Sequence, residues 1–158
     1  MKFWDSASFG KRIEYYIVGL MLKDGVDCYM PLVDDDGIDV VVRKSEDEYI
    51  EVQIKARSMN VKEGNGALFA ALTHEKERKN YYFIFYSERL KKIFIMSSKE
   101  FLDESTILKS GNNAGKRSIC FNGYKKNKEN GEKLEYVKQK FSKYIADDFS
   151  RWRSDKTG

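Results

Sequence analysis

Residues 34–55, DDDGIDVVVRKSEDEYIEVQIK, contain two runs typical of β-strands, separated by a charged segment. Residues 40–42 and 49–54 are rich in β-branched side chains, and the charged residues 44–48 between them predict a hairpin with a solvated loop. Side chains of a strand alternate between its two faces, so Glu51, Gln53 and Lys55 share one face. Asp39 directly precedes the first strand. The segment therefore predicts an acid, an amide and a lysine on neighbouring strands of a sheet.

Two short motifs in this segment resemble the core of a known nuclease family. Gly37-Ile38-Asp39 and Gln53-Ile54-Lys55 are similar to the core of the PD-(D/E)XK superfamily, which includes restriction endonucleases and archaeal Holliday-junction resolvases. Gln53 stands where the family usually has an acidic residue. Upstream, Gly-Lys-Arg-Ile-Glu at 10–14 resembles the first helix of the resolvase-like members, which carries an additional metal-site glutamate at the position of Glu14. The resemblance covers residues 8–57.

This resemblance implies both a fold and an activity. The implied fold is α/β, with a restriction-endonuclease-like core in which a central mixed β-sheet is flanked by the Glu14 helix and a C-terminal helix. The implied activity is metal-dependent endonucleolytic cleavage of DNA. The expected catalytic residues are Glu14, Asp39, Gln53 and Lys55, of which Glu14, Asp39 and Gln53 would ligate Mg²⁺ or Mn²⁺. Many enzymes of this superfamily are dimers, so a homodimer is a further expectation.

The residue types are compatible with this chemistry. Mg²⁺ prefers oxygen ligands and retains several waters, so one or two carboxylates and the substrate phosphate can suffice. A glutamine side chain offers such an ion a neutral carbonyl oxygen. The ammonium of Lys55 could orient water or stabilise charge on phosphate oxygens. Arg57 and Ser58, just past the strand, are candidate contacts to the nucleic-acid backbone.

Other interpretations of the same residues remain open from the sequence. Polar alternation is common in any half-exposed hairpin, and the chain would then be a structural interaction module. A nuclease fold can also persist without its chemistry, because Gln53 brings no charge to the metal site. Such an inactive domain would bind nucleic acid or a protein partner. Glu51 is either a peripheral acid of the site or a solvated strand residue.

The composition predicts one compact domain over residues 1–158. The chain has 29 Lys and Arg against 25 Asp and Glu, a net charge of +4, which permits nucleic-acid binding without requiring it. Cys28 and Cys120 are expected to be buried, reduced thiols. The sequence has neither the apolar core of a signal peptide nor an apolar run of about 18 residues, so no membrane association and a cytoplasmic location are expected.

Several other motifs are excluded by their spacing or context. The glycine-rich segment 111–116 has three residues between its glycines rather than the four of a phosphate-binding loop. Residues 34–37 lack the ligand spacing of a calcium-binding hand. His74 is the only histidine and lies in a charged stretch, where we expect a surface position rather than a role in nucleophilic catalysis.

The remaining segments predict the elements around this hairpin. An apolar stripe of Ile13, Ile17, Leu20 and Met21 predicts an amphipathic helix that ends at Asp24-Gly25. Further strands are expected at 26–33, 81–86, 92–96 and 117–122, and short helices at 67–72 and 99–102, the latter capped by Ser97 or Ser98. A final helix is expected over 132–152. Its lysine-rich side is interpreted as a solvated face in preference to a phosphate-binding one.

Overall fold

The computed structural model describes residues 6–154 of the chain. In chain order, its helices and strands are α1 (Ser6–Lys23), β1 (Asp27–Tyr29), β2 (Val40–Arg43), β3 (Tyr49–Arg57), β4 (Leu68–Leu72), β5 (Tyr81–Ser87), β6 (Lys92–Ser97), α2 (Ser98–Glu104), β7 (Thr106–Ile107), β8 (Arg117–Cys120), β9 (Asn122–Lys126), β10 (Lys133–Val137) and β11 (Ile145–Ala146). Two short 3₁₀ segments, Gln139–Tyr144 and Ser150–Trp152, flank β11. Neither α-helix within residues 6–154 is long and apolar enough to cross a membrane.

The central sheet has six strands in the order β1-β2-β3-β5-β6-β11. The predicted hairpin is present as the antiparallel pair β2 and β3, in which Val41 lies opposite Glu51. Strands β3 and β5 are parallel, with Lys55 opposite Phe85, so the chain between them crosses from one end of the sheet to the other. The predicted α/β fold with a central mixed sheet is confirmed. The strand expected at 26–33 stops earlier than predicted, before Pro31, which has no N–H to donate.

Helix α1 covers one face of this sheet. The predicted stripe is confirmed, because Ile17 and Met21 are fully buried and Ile13 and Leu20 pack partly buried beside them. Their neighbours in this core include Val52 on β3. The apolar side of α1 therefore fixes the helix that carries Glu14 against the strand that carries Gln53 and Lys55.

The other face of the sheet is covered by an aromatic cluster. Phe83, Phe85 and Phe94 of the central strands are fully buried there together with Phe101 of α2. The rings of Phe94 and Phe121 stack with their centroids 4.2 Å apart. The apolar run at 81–86 is therefore a strand covered on both faces, as predicted. Helix α2 begins at the predicted place, with Ser97 as its N-cap in a capping box.

The helix expected at 67–72 is instead the strand β4. It belongs to a three-stranded sheet with the order β4-β8-β7. The segment is too short to gain much from helix formation, whereas as a strand it pairs with β8 and places Phe69 between two rings. The centroid of the Phe69 ring lies 4.8 Å from that of Phe85 and 5.9 Å from that of Phe121. The crossover from β3 to β5 thus contains a strand and not a helix.

The C-terminal helix expected at 132–152 is also absent from the described residues. Strand β10 pairs with β9 in a two-stranded sheet, the ribbon, and β11 adds to the edge of β6. The apolar residues had suggested a helical stripe, but Leu134 is exposed on the ribbon, whereas Phe141 and Tyr144 enter the aromatic cluster from a 3₁₀ segment. One flank of the sheet is therefore α1, and the other is the second sheet with α2 and this segment.

Candidate active site

The polar face of β3 opens onto a cleft. Gln53, Lys55 and Arg57 form one wall, and the whole of β4 forms the opposite wall, enclosing a volume of about 590 Å³. Strand alternation explains the first wall, since Val52 and Ile54 point into the core beneath α1 and the polar residues between them must face the other way. Asp36 and Gly37, just before Asp39, close one end. The cleft therefore gathers the predicted polar residues of β3 beside the turn that leads to Asp39.

Asp39 is held rigidly next to β3. Its side chain is only 8% exposed, and its carboxylate Oδ2 accepts a hydrogen bond of 2.6 Å from the backbone N–H of Ile54. Its own N–H donates to the carbonyl of Val52 at 2.9 Å. Burial raises the pKa of the Asp39 carboxyl, the Ile54 N–H opposes this, the charges of Glu14 and Asp34 raise it further, and that of Lys55 lowers it. The negative charge of the Asp39 carboxylate is therefore unfavourable in this buried position, and a nearby cation would stabilise it.

Glu14 lies on α1 within electrostatic reach of Asp39, and it is not among the residues that line the cleft. Its carboxylate accepts a 2.7 Å hydrogen bond from the ammonium of Lys11, one turn earlier on the helix, and its side chain is 15% exposed. Its charge is close enough to disfavour ionisation of Asp39. The structure thus places two carboxylates from α1 and the start of β2 within electrostatic reach of each other, with the Lys55 ammonium also acting on Asp39.

The turn at Asp36–Gly37 is clamped by two side chains from the start of β5 and the loop before it. The guanidinium of Arg78 donates to the carbonyl of Asp36 at 2.7 Å, and the hydroxyl of Tyr81 donates to the carbonyl of Gly37 at 2.6 Å. Arg78 also lies over the Tyr81 ring, 3.9 Å from its centroid. These two residues fix the turn from which Asp39 enters the site.

Gly37 is required at this turn for two reasons. Its φ of 66° is in the left-handed region, and a Cβ at this position would lie 2.7 Å from the amide nitrogen of Gln53. The Gln53 side chain therefore packs directly against the turn. Glu51, the preceding polar residue on this face of the strand, forms a 2.7 Å ion pair with Arg78. This ion pair explains the acidic side chain at position 51 without a role in metal binding.

His74 lies in the wall of the cleft and is 8% exposed, so the expected surface position was wrong. Its Nε2 is 2.7 Å from the hydroxyl of Ser98, and its ring stacks on that of Tyr81 with centroids 5.5 Å apart. Burial lowers the pKa of His74, and the charges of Arg78 and Arg117 lower it further. The charged residues that follow it in the sequence hid this apolar environment.

The remaining predicted residues lie at the far end of β3. Arg57 lines the cleft, and its Nε donates to the carbonyl of Asn65 at 3.3 Å. Ser58 follows in the loop, where its hydroxyl accepts a hydrogen bond from the N–H of Asn60 at 3.2 Å. On the opposite wall, Ala71 has a φ of 59° at an irregularity in the pairing of β4 with β8. Arg57 therefore faces the cleft, whereas Ser58 shapes the loop beyond it.

The oxygen donors of the site are those that a hard divalent cation accepts. Asp39 and Glu14 supply carboxylates and Gln53 supplies an amide oxygen, a set that is compatible with Mg²⁺ if waters and a phosphate complete it. Within residues 6–154, no group of three His, Cys, Asp or Glu side chains could hold a metal ion. The amide of Gln53 or a substrate oxygen would thus be needed in addition to the carboxylates.

Comparison with known proteins gives a fold-level result. No protein-family model matches the chain, and no curated protein matches it. Among solved structures, the bacterial homing endonuclease I-Ssp6803I is similar over 90% of this chain and 89% of its own, with a TM-score of 0.58 and 16% sequence identity. This chain therefore has the α/β fold of that endonuclease.

Arg78 and Tyr81 are the site residues that sequence reasoning missed. Arg78 lies in a run of alternating charges, which is typical of a solvated loop. Tyr81 begins an apolar strand, where its hydroxyl gave no sign of a polar partner. The useful signal would have been the parallel pairing of β3 with β5, which places Tyr81 opposite Glu51 at the start of the polar face.

Proposed function

We propose that this protein is a metal-dependent endonuclease of the PD-(D/E)XK type that hydrolyses phosphodiester bonds in DNA. The observation that carries the proposal is that Gln53 and Lys55 line one cleft, while Asp39 is hydrogen-bonded to Ile54 between them and lies within electrostatic reach of Lys55. The similarity of the fold to that of a bacterial homing endonuclease supports the same reading. A nucleic-acid backbone is the proposed ligand of the cleft because its wall also presents Arg57, a cation suited to a phosphate oxygen, and the likeness to a homing endonuclease favours DNA.

In this proposal Asp39 and Glu14 would hold Mg²⁺ or Mn²⁺, and Gln53 would add a neutral oxygen. The chemistry supplied by such an ion would be a lower pKa of its bound water and polarisation of the phosphate. Lys55 donates hydrogen bonds to the attacking water or to a phosphate oxygen, where negative charge builds up. Arg57 positions the backbone of the substrate at the other end of the wall.

The rigidity of the site serves this chemistry. A catalytic carboxylate is useful only when it stays in one position during the reaction. The Ile54 N–H fixes Asp39 from β3, and the contacts of Arg78 and Tyr81 fix the turn that precedes it. Arg78 and Tyr81 are therefore positioning residues in this proposal and do not themselves contact the substrate.

A nuclease-like domain without catalytic activity is the second candidate. The observation that favours it is the neutral amide of Gln53, together with the absence of a three-ligand His, Cys, Asp or Glu group from the part of the chain that the structure describes. Such a domain would still bind nucleic acid or a protein partner through the same cleft. It differs from the first candidate in one measurable property, hydrolysis.

A cleavage assay tests the proposal. The wild-type protein is incubated with plasmid, linear duplex, single-stranded and branched DNA and with RNA, in Mg²⁺ or Mn²⁺. We expect DNA cleavage, and Asp39→Ala and Lys55→Ala should each lower its rate by a factor of about 100 or more. The matched controls are Asp103→Ala and Lys99→Ala, which remove the same residue types from an exposed ion pair on α2.

Three outcomes would contradict the proposal. Wild-type protein that binds DNA and cuts none of these substrates with either ion would support the inactive domain. Cleavage that survives in both site variants would place the chemistry elsewhere or in a contaminant. Control variants that lose activity to the same extent as the site variants would show that the loss is not specific to the site.

A further inference from the structure

The ribbon formed by β9 and β10 has two different faces. One face is tied to the loop that follows β3. Glu135 accepts hydrogen bonds from the N–H of Gly64 at 2.8 Å and from Arg89 at 2.6 Å, while Asn122 donates to the carbonyl of Gly64 at 2.9 Å. Glu63 pairs with Lys133 and accepts from the hydroxyl of Tyr124. These contacts mount the ribbon firmly on the rest of the protein.

The opposite face of the ribbon is open to solvent. By the strand register it carries Lys125 opposite Leu134 and Gly123 opposite Tyr136. Leu134 is 60% exposed, and the ring of Tyr136 lies flat enough on Gly123 that a Cβ there would overlap it. The ammonium of Lys125 is 5.2 Å from the centroid of this ring. The open face therefore combines a cation with an apolar and an aromatic side chain.

The turn at the end of the ribbon is ordered by two side-chain hydrogen bonds. The side chain of Asn127 accepts a hydrogen bond from the N–H of Glu129 at 2.8 Å, and that of Asn130 accepts one from Glu132 at 2.9 Å. Lys126 and Lys128 are exposed beside this turn. Glu129 and Glu132 are also exposed there and offset these lysines, so Lys125 is the strand lysine that the register places on the open face.

The ribbon lies at the Arg57 end of the cleft. Strand β8 runs antiparallel to β4, the far wall of the cleft, with Cys120 opposite Leu68, and β9 starts just beyond. The loop to which the ribbon is tied follows directly from Arg57. Along a strand, Arg57 is about 7 Å from Lys55. A nucleic acid seated on the cleft wall would therefore meet the ribbon on leaving the site.

We propose that the β9–β10 ribbon enters the major groove of duplex DNA next to the cleft. This inference rests on the proposed function, because it takes DNA as the ligand of the cleft. The major groove is about 12 Å wide and admits a two-stranded ribbon, whose strands are only about 5 Å apart. Lys125 and Lys128 contact phosphates, and Leu134 is suited to the methyl group of thymine.

The test compares DNA binding by the full chain and by the double variant Lys125→Gln/Lys128→Gln. Binding is measured with Ca²⁺ in place of Mg²⁺, on a short duplex and on one of its single strands, over a series of salt concentrations. Each lost phosphate contact removes about 0.9 from the slope of log affinity against log salt. Between about 50 and 200 mM salt, the wild-type affinity for duplex should therefore fall about tenfold more than that of the variant.

A control variant and a modified duplex make the test specific. Lys99→Gln/Lys109→Gln removes the same charge from exposed positions outside the ribbon and should keep the wild-type salt slope. A duplex whose cytosines carry bulky C5 substituents has an obstructed major groove. Wild-type protein should bind it more weakly than the unmodified duplex, whereas the ribbon variant should show a smaller difference between the two.

The proposal is overturned by any of three results. The first is an unchanged salt slope in the ribbon variant, and the second is an equal loss of affinity for duplex and single strand. The third is a change in oligomeric mass on substitution of Leu134 by Ser with DNA binding intact, which would assign the open face to a second copy of the chain. A wild-type protein that binds duplex through the ribbon without cutting it would refute the nuclease proposal alone.

Discussion

Replacing Tyr81 by Phe tests whether the turn before Asp39 is held as described. The substitution removes only the hydroxyl, because the ring, 2% exposed, remains packed against His74 and Phe83. What disappears is the 2.6 Å hydrogen bond to the carbonyl of Gly37. A partly buried carbonyl left without its donor costs about 1 to 3 kcal/mol. We expect the free energy of unfolding to fall by this amount, or Tm by roughly 3 °C per kcal/mol.

The pH dependence of this loss has a definite sign. Burial raises the pKa of Tyr81 to about 12, the charge of Arg78 lowers it, and those of Asp39 and Glu51 raise it. A phenol whose folded pKa exceeds its unfolded value of about 10 contributes stability below pH 10 and loses it as the pH rises to about 12. The difference in the free energy of unfolding between wild type and Tyr81→Phe should therefore be constant near neutral pH. It should become smaller as the pH rises above about 10.

Urea unfolding of both proteins, followed at several pH values, measures the effect. Tyr82→Phe is the matched control, since Tyr82 lies on the other face of the same strand, packs on Trp152 and has no hydroxyl hydrogen bond within residues 6–154. Equal stability of Tyr81→Phe, Tyr82→Phe and wild type at neutral pH would refute the clamp. A destabilised Tyr81→Phe protein that keeps the wild-type cleavage rate would refute its positioning role.

Three further substitutions probe the site and the core. Asp39→Asn should stabilise the metal-free protein at neutral pH, because it removes a charge that burial disfavours. At acidic pH it should have no such effect. Mg²⁺ should raise the Tm of wild type but not that of this variant. Ala71→Gly should raise the free energy of unfolding by up to about 1 kcal/mol, because a φ of 59° strains alanine and not glycine. Phe121→Ala should lower it by about 3 to 5 kcal/mol in urea titrations, as it empties the centre of the aromatic cluster. An unchanged unfolding midpoint of any of these proteins at neutral pH would contradict the corresponding prediction.

The elements predicted from strong local patterns were found. The stripe of Ile17 and Met21 defined α1, and the alternation of Val52 with Gln53 and Lys55 defined both the strand and its polar face. These predictions succeeded because each pattern arises when one side of a helix or strand is buried against a single neighbouring layer. The same alternation placed Glu51, Gln53 and Lys55 on one face before any tertiary structure was considered.

The failed predictions concern segments whose structure depends on distant partners. Leu134 and Phe141 have helical spacing, yet one pairs with β9 and the other enters the aromatic cluster, and no local rule separates these environments. Phe69 became part of a strand because β8 was available to pair with it. Tertiary pairing overrides local periodicity in such segments. For the same reason the Arg78 and Tyr81 contacts were invisible in the sequence.

The two outermost strands of the central sheet are its shortest. Strand β1 has 3 residues and β11 has 2, whereas the long strands β3, β5 and β6 all lie between them. An outer strand offers unpaired N–H and C=O groups on which another chain can add by sheet extension, and short outer strands limit such growth. Ile145 and Ala146 therefore cover part of the outer edge of β6, and loss of this contact near the end of the described chain would leave that edge open to pairing with another chain.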